Sequence, residues 1–335
     1  MSNLPRIGFM LGDVTGIGPE IAAKLLASGK PSEIARVLII GDQRVLQLGM
    51  KNAGLTIPYT VYSSINDVTW PRQDLPVVNL GNTDPALFPQ GTSSDVAGKL
   101  AGDTLKIMID MAMNNQLDGI CFAPLNKGAM NRGGWKFNDE HQMFAHLTEH
   151  TGFFGEMNVI DQFSTFRVTS HVALREAVNL VTPERITAAI ELAQNALRAA
   201  GHQQPRIGVA ALNPHNGENG LFGDEEIRII RPTVDQLRAK GIHCEGPISS
   251  DVIFLKALKG EFDGVVMMYH DQGQIATKLL GFNKGVTVTA GLKTVFTTPA
   301  HGTAYDIVGQ GIANVGAMEH AFILAAKIAS GRMQT

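Results

Sequence analysis

The sequence predicts an α/β protein with a largely parallel sheet, folded as two interleaved lobes. Short β-branched or apolar runs alternate with helical patterns along the whole chain, the order that builds parallel sheets. At 335 residues the chain exceeds the roughly 250–300 residues at which a single core stops growing. No Gly/Ser-rich tether separates two halves, so two lobes would be interleaved rather than joined in series.

The elements follow from local pattern. Strands are expected at Arg6–Met10, Val37–Ile40, Pro76–Leu80, Gly119–Phe122, Phe166–Ser170, Ile207–Leu212, Val265–Tyr269 and Val286–Thr289. A helix is expected near Ser94–Asn115, where Leu105, Met108, Ile109 and Ala112 share a face. Another starts at Thr182, a good N-cap followed by Pro183, with Ile186, Ile190, Ala193 and Leu197 as its core stripe. Pro232 lies inside a third helical pattern, Asp224–Ala239, and is expected to kink or divide it.

Composition narrows the function. Apolar residues make up 44% and charged residues 18%, enough for a packed interior. Lys and Arg number 28 against 31 Asp and Glu, a net charge of −3 without a basic tract, which argues against a nucleic-acid partner. No apolar run approaches the ~20 residues of a membrane helix, and the first residues lack the layout of a signal peptide. Only Cys121 and Cys244 occur, too few for a disulfide framework or a cysteine metal site. A soluble, cytoplasmic protein is expected.

Three histidines hold equivalent places. His171 ends one expected strand, His215 follows Asn213-Pro214 after another, and His270 ends a third. Ligands collect at the carboxyl ends of strands in open α/β sheets, so these imidazoles could converge on a divalent cation. The alternative is an ordinary polar residue at each strand end. Asp271 and Asp251 are positioned to add an oxygen ligand or to accept from one, or to serve as a loop carboxylate or helix cap. Gly12–Glu20 reads as a compact strand-to-helix turn and lacks the three spaced glycines of a dinucleotide fingerprint.

The segment His301–Asn314, rich in glycine and alanine among polar side chains, suits close contact with a flat ligand. It resembles the adenosine-binding loop of the β-decarboxylating dehydrogenases of isocitrate and isopropylmalate. With Gly12–Glu20, Pro124–Lys127, Asn213-Pro214-His215 and Tyr269–Gly273 in this order, essentially the whole chain resembles the 4-hydroxythreonine-4-phosphate dehydrogenase (PdxA) family. The resemblance implies an isocitrate/isopropylmalate dehydrogenase-like fold, with approximate lobes 1–130 plus 285–335 and 131–284 and the active site in the cleft. It implies a homodimer with the site at the subunit interface. It also implies NAD or NADP bound around His301, Gly302, Thr303, Asp306 and Asn314, and a divalent metal (Zn, Mn, Co, Ni or Mg) held by His171, His215 and His270. Substrate contacts would fall to His141, Gln142, Lys278, Thr287 and Phe296, although an isolated Phe such as Phe296 usually packs in a core and Lys278 could be a surface lysine. Lys127 and Arg175 also keep family positions, as carboxylate ligands or as charges at helix ends.

The sequence departs from the family at the substrate positions. The family has Thr at 142, Asn at 287, Arg at 296 and Asp at 300, where this chain has Gln142, Thr287, Phe296 and Ala300. Losing a charge-assisted bond to phosphate removes roughly 1.5–3 kcal/mol. The favoured expectation is therefore a non-phosphorylated substrate, a carboxylated cis-dihydrodiol such as terephthalate dihydrodiol. It would be oxidised and then decarboxylated as a β-keto acid, with Lys127, Lys278, Asp271 and Asp251 as candidate catalytic residues. Two alternatives stand beside it: a dehydrogenase of 4-hydroxythreonine 4-phosphate or a related phosphorylated acid, its anion site rebuilt from Lys278, Lys284 or Lys293, and a non-catalytic ligand-binding relative.

Overall fold

In the computed structural model, residues 4–70, 74–281 and 285–333 are described, and the chain forms two compact units, Met1–Thr151 with Leu292–Thr335, and Gly152–Gly291. The first unit contains β1 (Arg6–Met10), β2 (Arg36–Gly41), β3 (Tyr59–Tyr62), β4 (Leu75–Asn79) and β5 (Gly119–Phe122). The second contains β6 (Gly155–Val159), β7 (Ser164–Arg167), β8 (Ile207–Ala210), β9 (Cys244–Ile248), β10 (Gly264–Met267) and β11 (Val286–Ala290). The chain then returns to the first unit as β12 (Val295–Pro299). Interleaved α/β units with mainly parallel strands are thus the observed fold. The sequence put the changes of lobe near 130 and 285. The compact units change over at 151 and 291, because the helix Glu140–Leu147 packs with the first unit.

In the first unit the strand order is β3-β4-β2-β1-β5-β12, and every pair within it is parallel. Successive strands run outward from β1 in one direction and from β5 in the other, which makes the ends of β1 and β5 a topological switch point. These strands are buried on both faces, so β1, β2 and β5 read as nearly continuous apolar runs. The helix Gly316–Met333 covers β12, β5 and β1, with Phe322 edge-on to Phe9 at 5.9 Å. In the second unit the order is β11-β6-β7-β10-β8-β9. β7, β10, β8 and β9 are parallel, whereas β6 is antiparallel to β7 and β11. Phe163, Phe254, Phe262, Val265 and Met267 anchor its core.

Four strands escaped the pattern. β3 is half-exposed, and β6 contains Gly155, Glu156 and Asn158. β9 carries Gly246-Pro247, a pair poor in strand propensity, and β12 ends in Thr-Thr-Pro. β7 begins two residues earlier than expected and ends at Arg167, although Val168 and Thr169 still donate to Met267 O and Met268 O. The Asp224–Ala239 pattern is divided as Pro232 requires: a π-helical turn, Glu226–Ile230, precedes the helix Arg231–Ala239. Ser94 and Thr182 cap Asp95–Met113 and Pro183–Ala199 as expected, accepting from Ala97 N and Arg185 N. Among the described residues no helix is long and apolar enough to cross a membrane.

Each unit fastens the amino ends of two parallel strands with an Arg–Asp pair. Arg6, opening β1, donates its backbone N–H and guanidinium to Asp118, just before β5, at 2.7–3.0 Å. Arg206, just before β8, does the same to Asp263, just before β10, at 2.8–3.2 Å. Burial alone would raise both carboxyl pKa values, but the arginine hydrogen bonds and charge outweigh it and hold both below the usual range. The folded state therefore binds fewer protons here than the unfolded chain. The stabilisation is complete above the ordinary Asp value of about 4 and disappears as pH falls through the depressed values. Asp118→Asn and Asp263→Asn should each lower the urea midpoint at neutral pH and flatten the loss of stability on acidification. A variant with the wild-type acid limb would show that its pair contributes nothing.

Candidate active site

The three histidines come to one edge of the second unit. His171 lies four residues past β7, His215 follows β8, and His270 opens the helix His270–Gly281 after β10. Since β7, β10 and β8 are neighbours with aligned register, all three follow the carboxyl ends of adjacent strands. The rings of His171 and His270 are 5.3 Å apart between centroids, and His270 Nδ1 lies 2.6 Å from Asp271 Oδ1. His215 is not drawn into a closed set. Residues 215–219 all have positive φ, and the His215 ring lies 6.2 Å from that of Phe222. Among the described residues no group of three His, Cys, Asp or Glu side chains is gathered closely enough to hold a metal. The donor chemistry still fits one: three imidazoles on adjacent strand ends, with a carboxylate oriented on one of them, suit a borderline divalent cation.

The charged candidates divide by surroundings. Lys127, the first residue after the N-cap Asn126, pairs with the buried Glu140 at 2.7 Å, so its charge is already balanced. Asp271 orients His270. Asp251 is exposed in the first turn of Ser250–Leu258, where a carboxylate favours the helix dipole. Lys278 is exposed two turns beyond His270 on the same helix, and Arg175 is exposed on Leu174–Asn179. Lys293 precedes β12 and so lies at the amino end of that strand, opposite the ends where ligands gather. Lys284 lies outside the described residues. Burial pushes the thiol of Cys121 up to about 12 and that of Cys244 to about 11, so neither supplies a thiolate at neutral pH.

The proposed substrate positions are mostly interior. His141 is buried in Glu140–Leu147, while Gln142 is exposed and its backbone N–H is capped by Asp139. Phe296 is 1% exposed and stacks on Phe144 at 4.1 Å with the rings 10° from parallel. Phe122 meets the same Phe144 edge-on at 5.8 Å. Phe296 thus packs in the interior, the alternative the sequence left open beside a substrate contact: an aromatic of this size finds more contact in an aromatic stack than at a polar surface. Thr287 is buried on β11 and accepts from Asn158 Nδ2 at 3.2 Å.

The segment Gly12–Glu20 is a bracket for His301–Asn314. Ile17 N donates to Thr303 O at 3.0 Å, and Tyr305 Oη donates to Asp13 Oδ2 at 2.8 Å. Glu20 Oε1 accepts from Ala313 N at 2.9 Å, and Lys24 Nζ donates to Gly311 O and Ala313 O. A Cβ on Gly16 would come within 2.8 Å of Thr303 Cβ, which is why glycine stands there. Thr303 is therefore buried in the bracket, while His301 is half-buried and Gly302, Asp306 and Asn314 are exposed. A Cβ at Gly302 or Gly309 would meet no atom within 4 Å, so the loop offers open, unobstructed backbone to a flat ligand such as a nicotinamide dinucleotide.

Two positioning residues were not singled out in the sequence, although Gln272 lies within the Tyr269–Gly273 block. Glu226 is fully buried, and its Oε1 accepts from Leu212 N and Asn213 N at 2.8 and 2.7 Å while Oε2 accepts from Asn213 Nδ2 at 2.9 Å. It fixes the turn that carries His215. Gln272 accepts from Met268 N at 2.7 Å and donates to Ala211 O at 2.6 Å and Ser250 Oγ at 2.8 Å, joining the ends of β10 and β8.

Comparison with known proteins places this arrangement. The family model "Pyridoxal phosphate biosynthetic protein PdxA" matches residues 33–325. A Pseudomonas aeruginosa protein, "Putative 4-hydroxythreonine-4-phosphate dehydrogenase 2", is 44% identical, covering 97% of each chain. The D-threonate 4-phosphate dehydrogenase of Cupriavidus necator is 39% identical over 98% of each chain. The crystal structure of a 4-hydroxythreonine-4-phosphate dehydrogenase from Burkholderia phymatum superposes with a TM-score of 0.81 at 36% identity, covering 97% of this chain and 98% of that one. A terephthalate 1,2-cis-dihydrodiol dehydrogenase from Burkholderia xenovorans LB400 (TM-score 0.68, 24% identity, 96% of this chain and 98% of that one) shares the fold. So does an isocitrate dehydrogenase from Methylococcus capsulatus (0.51, 13%, 98% and 88%).

Two substitutions test the geometry. Glu226→Leu strands two backbone donors and should cost about 3 kcal/mol in urea unfolding, against a smaller loss for Glu226→Gln, which keeps one acceptor. Equal stability of Glu226→Leu and wild type would refute its bracing role. Phe296→Arg would bury an unpaired guanidinium against Phe144 and should destabilise by about 3–5 kcal/mol. A variant that melts with the wild type would show that position 296 opens to solvent after all.

Proposed function

The chain belongs to the PdxA family, and on that premise we propose that it is a metal- and NAD(P)-dependent dehydrogenase of a four-carbon, phosphorylated hydroxy acid such as 4-hydroxythreonine 4-phosphate or D-threonate 4-phosphate. The observation that carries this reading is the trio of histidines after three adjacent strands, in a chain that matches phosphorylated-acid dehydrogenases along almost its whole length. The dihydrodiol reading loses its main support. It rested on the loss of the family's arginine at position 296, and Phe296, stacked on Phe144, offers no apolar face in its place for a substrate ring. Its named example is a relative at 24% identity, which speaks for fold alone.

In this proposal His171, His215 and His270 hold the cation, and His301–Asn314 receives the cofactor. When bound, the cation supplies Lewis acidity at the substrate hydroxyl and the nicotinamide supplies a hydride acceptor. The chain's own part is orientation. Asp271 accepts from His270 Nδ1, which turns the Nε2 lone pair outward. Lys278 is exposed on the same helix, eight residues beyond His270, and in this reading its flexible stem supplies an ammonium for the anionic end of a four-carbon substrate. Oxidation of a hydroxyl β to the carboxylate releases hydride from carbon and a proton from oxygen. The resulting β-keto acid then loses carbon dioxide as its C–C bond breaks. Assembly as a homodimer, with the site at the subunit interface, belongs to the same reading. Exposed Leu174, Ile275 and Leu279 on two helices of the second unit support it.

Initial rates of cofactor reduction with both substrate types test the assignment. kcat/KM should be higher for the phosphorylated acids than for a carboxylated cis-dihydrodiol, and the opposite order would restore the dihydrodiol reading. His270→Ala should weaken Mn²⁺ or Zn²⁺ binding by at least about tenfold in calorimetry and abolish turnover while the protein stays folded. Wild-type metal affinity in that variant would remove the histidine set from the mechanism. Turnover of none of these substrates with either cofactor would favour the non-catalytic alternative.

A further inference from the structure

Three segments far apart in the chain meet at one phenol in the first unit. Tyr305 opens the short 3₁₀ turn Tyr305–Ile307 within the loop after β12. Its Oη donates to Asp13 Oδ2 at 2.8 Å and accepts from Asn126 Nδ2 at 2.8 Å. Asp13 is 3% exposed in the turn after β1, and its other oxygen accepts from Thr15 N and Thr15 Oγ1 at 2.9 and 2.8 Å. Asn126 caps the helix Lys127–Arg132, its Oδ1 accepting from Ala129 N at 2.8 Å.

The partners fix the roles at the phenol. Asn126 Oδ1 is committed to a backbone donor, so the group that faces Tyr305 is an NH₂ that can only donate. The Asp13 carboxylate can only accept, so it takes the Tyr305 proton. Thr15 holds the one partner and the capped helix holds the other. The phenol therefore enters a socket whose donor and acceptor are already placed. A Phe ring would fill the same space and make neither bond.

The loop needs such a tie. Ala304, immediately before Tyr305, has φ +41°, a left-handed conformation that its Cβ disfavours. A residue of this kind persists where its surroundings over-determine it. Ile17 fixes the loop at Thr303, and Glu20 and Lys24 fix it at Gly311 and Ala313. Between those points the backbone bonds are local: Ile307 N donates to Ala304 O and Gln310 N to Ile307 O, each at 3.2 Å. Tyr305 ties this middle stretch, with its exposed Asp306 and Gly309, to the end of the sheet.

We infer that Tyr305 is a positioning residue for the cofactor: its hydroxyl, seated between Asp13 and Asn126, holds residues 304–310 in the shape that presents their open backbone. The role rests on the reading of this loop as a nicotinamide dinucleotide site, and adds to it the residue that presets the loop. Without the hydroxyl the loop samples other shapes, and apparent affinity falls with the fraction that remains in the receiving one.

Hydrogen exchange on the full chain without ligand, and calorimetric titration with NAD⁺ and NADP⁺, test the role together. Tyr305→Phe should speed exchange about tenfold at Ile307 and Gln310 and leave Val265 and Val266 on β10 unchanged. It should weaken dinucleotide binding about tenfold while Mn²⁺ affinity stays the same. Asn126→Asp keeps the helix cap but turns an oxygen toward Tyr305 in place of a donor, and should have the same effects. The double variant Asn126→Asp/Tyr305→Phe should bind no more weakly than the weaker single variant, because both remove the same junction. Unchanged exchange in Tyr305→Phe overturns the tie, and faster exchange with unchanged dinucleotide affinity overturns the positioning role. Additive losses in the double variant overturn the shared junction. If Tyr305→Phe does not fold, Asn126→Asp decides by the same two readouts. A wild type that binds neither dinucleotide overturns the cofactor reading, and the exchange data then decide whether Tyr305 ties the loop.

Discussion

The hydrogen bonds of one half-buried amide hold the histidine edge of the second unit together. Gln272 accepts from Met268 at the end of β10 and donates to Ala211 at the end of β8. Strand ends are where ladder bonding stops and the chain diverges, so without such a tie two adjacent turns would move independently. His270 sits two residues before Gln272, and His215 sits four after Ala211. The amide therefore fixes the spacing from which any shared ligand would be held. Glu226 does complementary work inside the His215 turn, where four non-glycine residues adopt positive φ. Such a conformation persists only when its backbone donors are over-determined, and a carboxylate taking two of them supplies that.

The first unit solves a different problem. The loop His301–Asn314 exposes backbone and small residues, which gives it little core of its own. Its stability is borrowed from the switch point of the sheet. The turn after β1 contributes Asp13, Ile17, Glu20 and, one turn into the helix, Lys24, and each holds a different part of the loop after β12. The glycines of Gly12–Glu20 are needed for approach to protein backbone. A Cβ on Gly18 would lie 2.6 Å from Leu11 O, and one on Gly12 would lie 2.8 Å from Pro124 O. This explains a glycine-rich turn that contains no dinucleotide fingerprint.

The sequence made legible whatever local pattern or chemistry controls. The apolar runs of β1, β2, β5, β8 and β10, the caps at Ser94 and Thr182, and the break at Pro232 were readable for that reason. So was the place of the three histidines after strands, since each lies within a few residues of a strand-like run, His270 directly after one. Strands stabilised by non-local partners were not readable. β6 carries Glu156 and Asn158 because its neighbours supply Arg167 and Thr287, a fact visible only once the strands pair. Glu226 is the last of three consecutive acids, Asp224-Glu225-Glu226, at the start of a helical pattern, and nothing local distinguishes the buried one.

Position 296 shows how such a limit affects a functional argument. Replacement of an arginine by phenylalanine suggests loss of an anion site and gain of an apolar one, if the side chain is assumed to keep its place. In the structure Phe296 lies flat on Phe144 within a cluster that includes Phe122, so it contributes to the interior and offers no face to a ligand. The substitution then removes one contact without supplying a new specificity. Substrate charge must be met by groups that remain able to reach it. Lys127 is neutralised by Glu140, and Lys293 lies at the wrong end of β12. Lys278 carries its ammonium, exposed, on the helix that begins at His270. On the proposed reading, an exposed cation there suits an anionic substrate without the lost guanidinium.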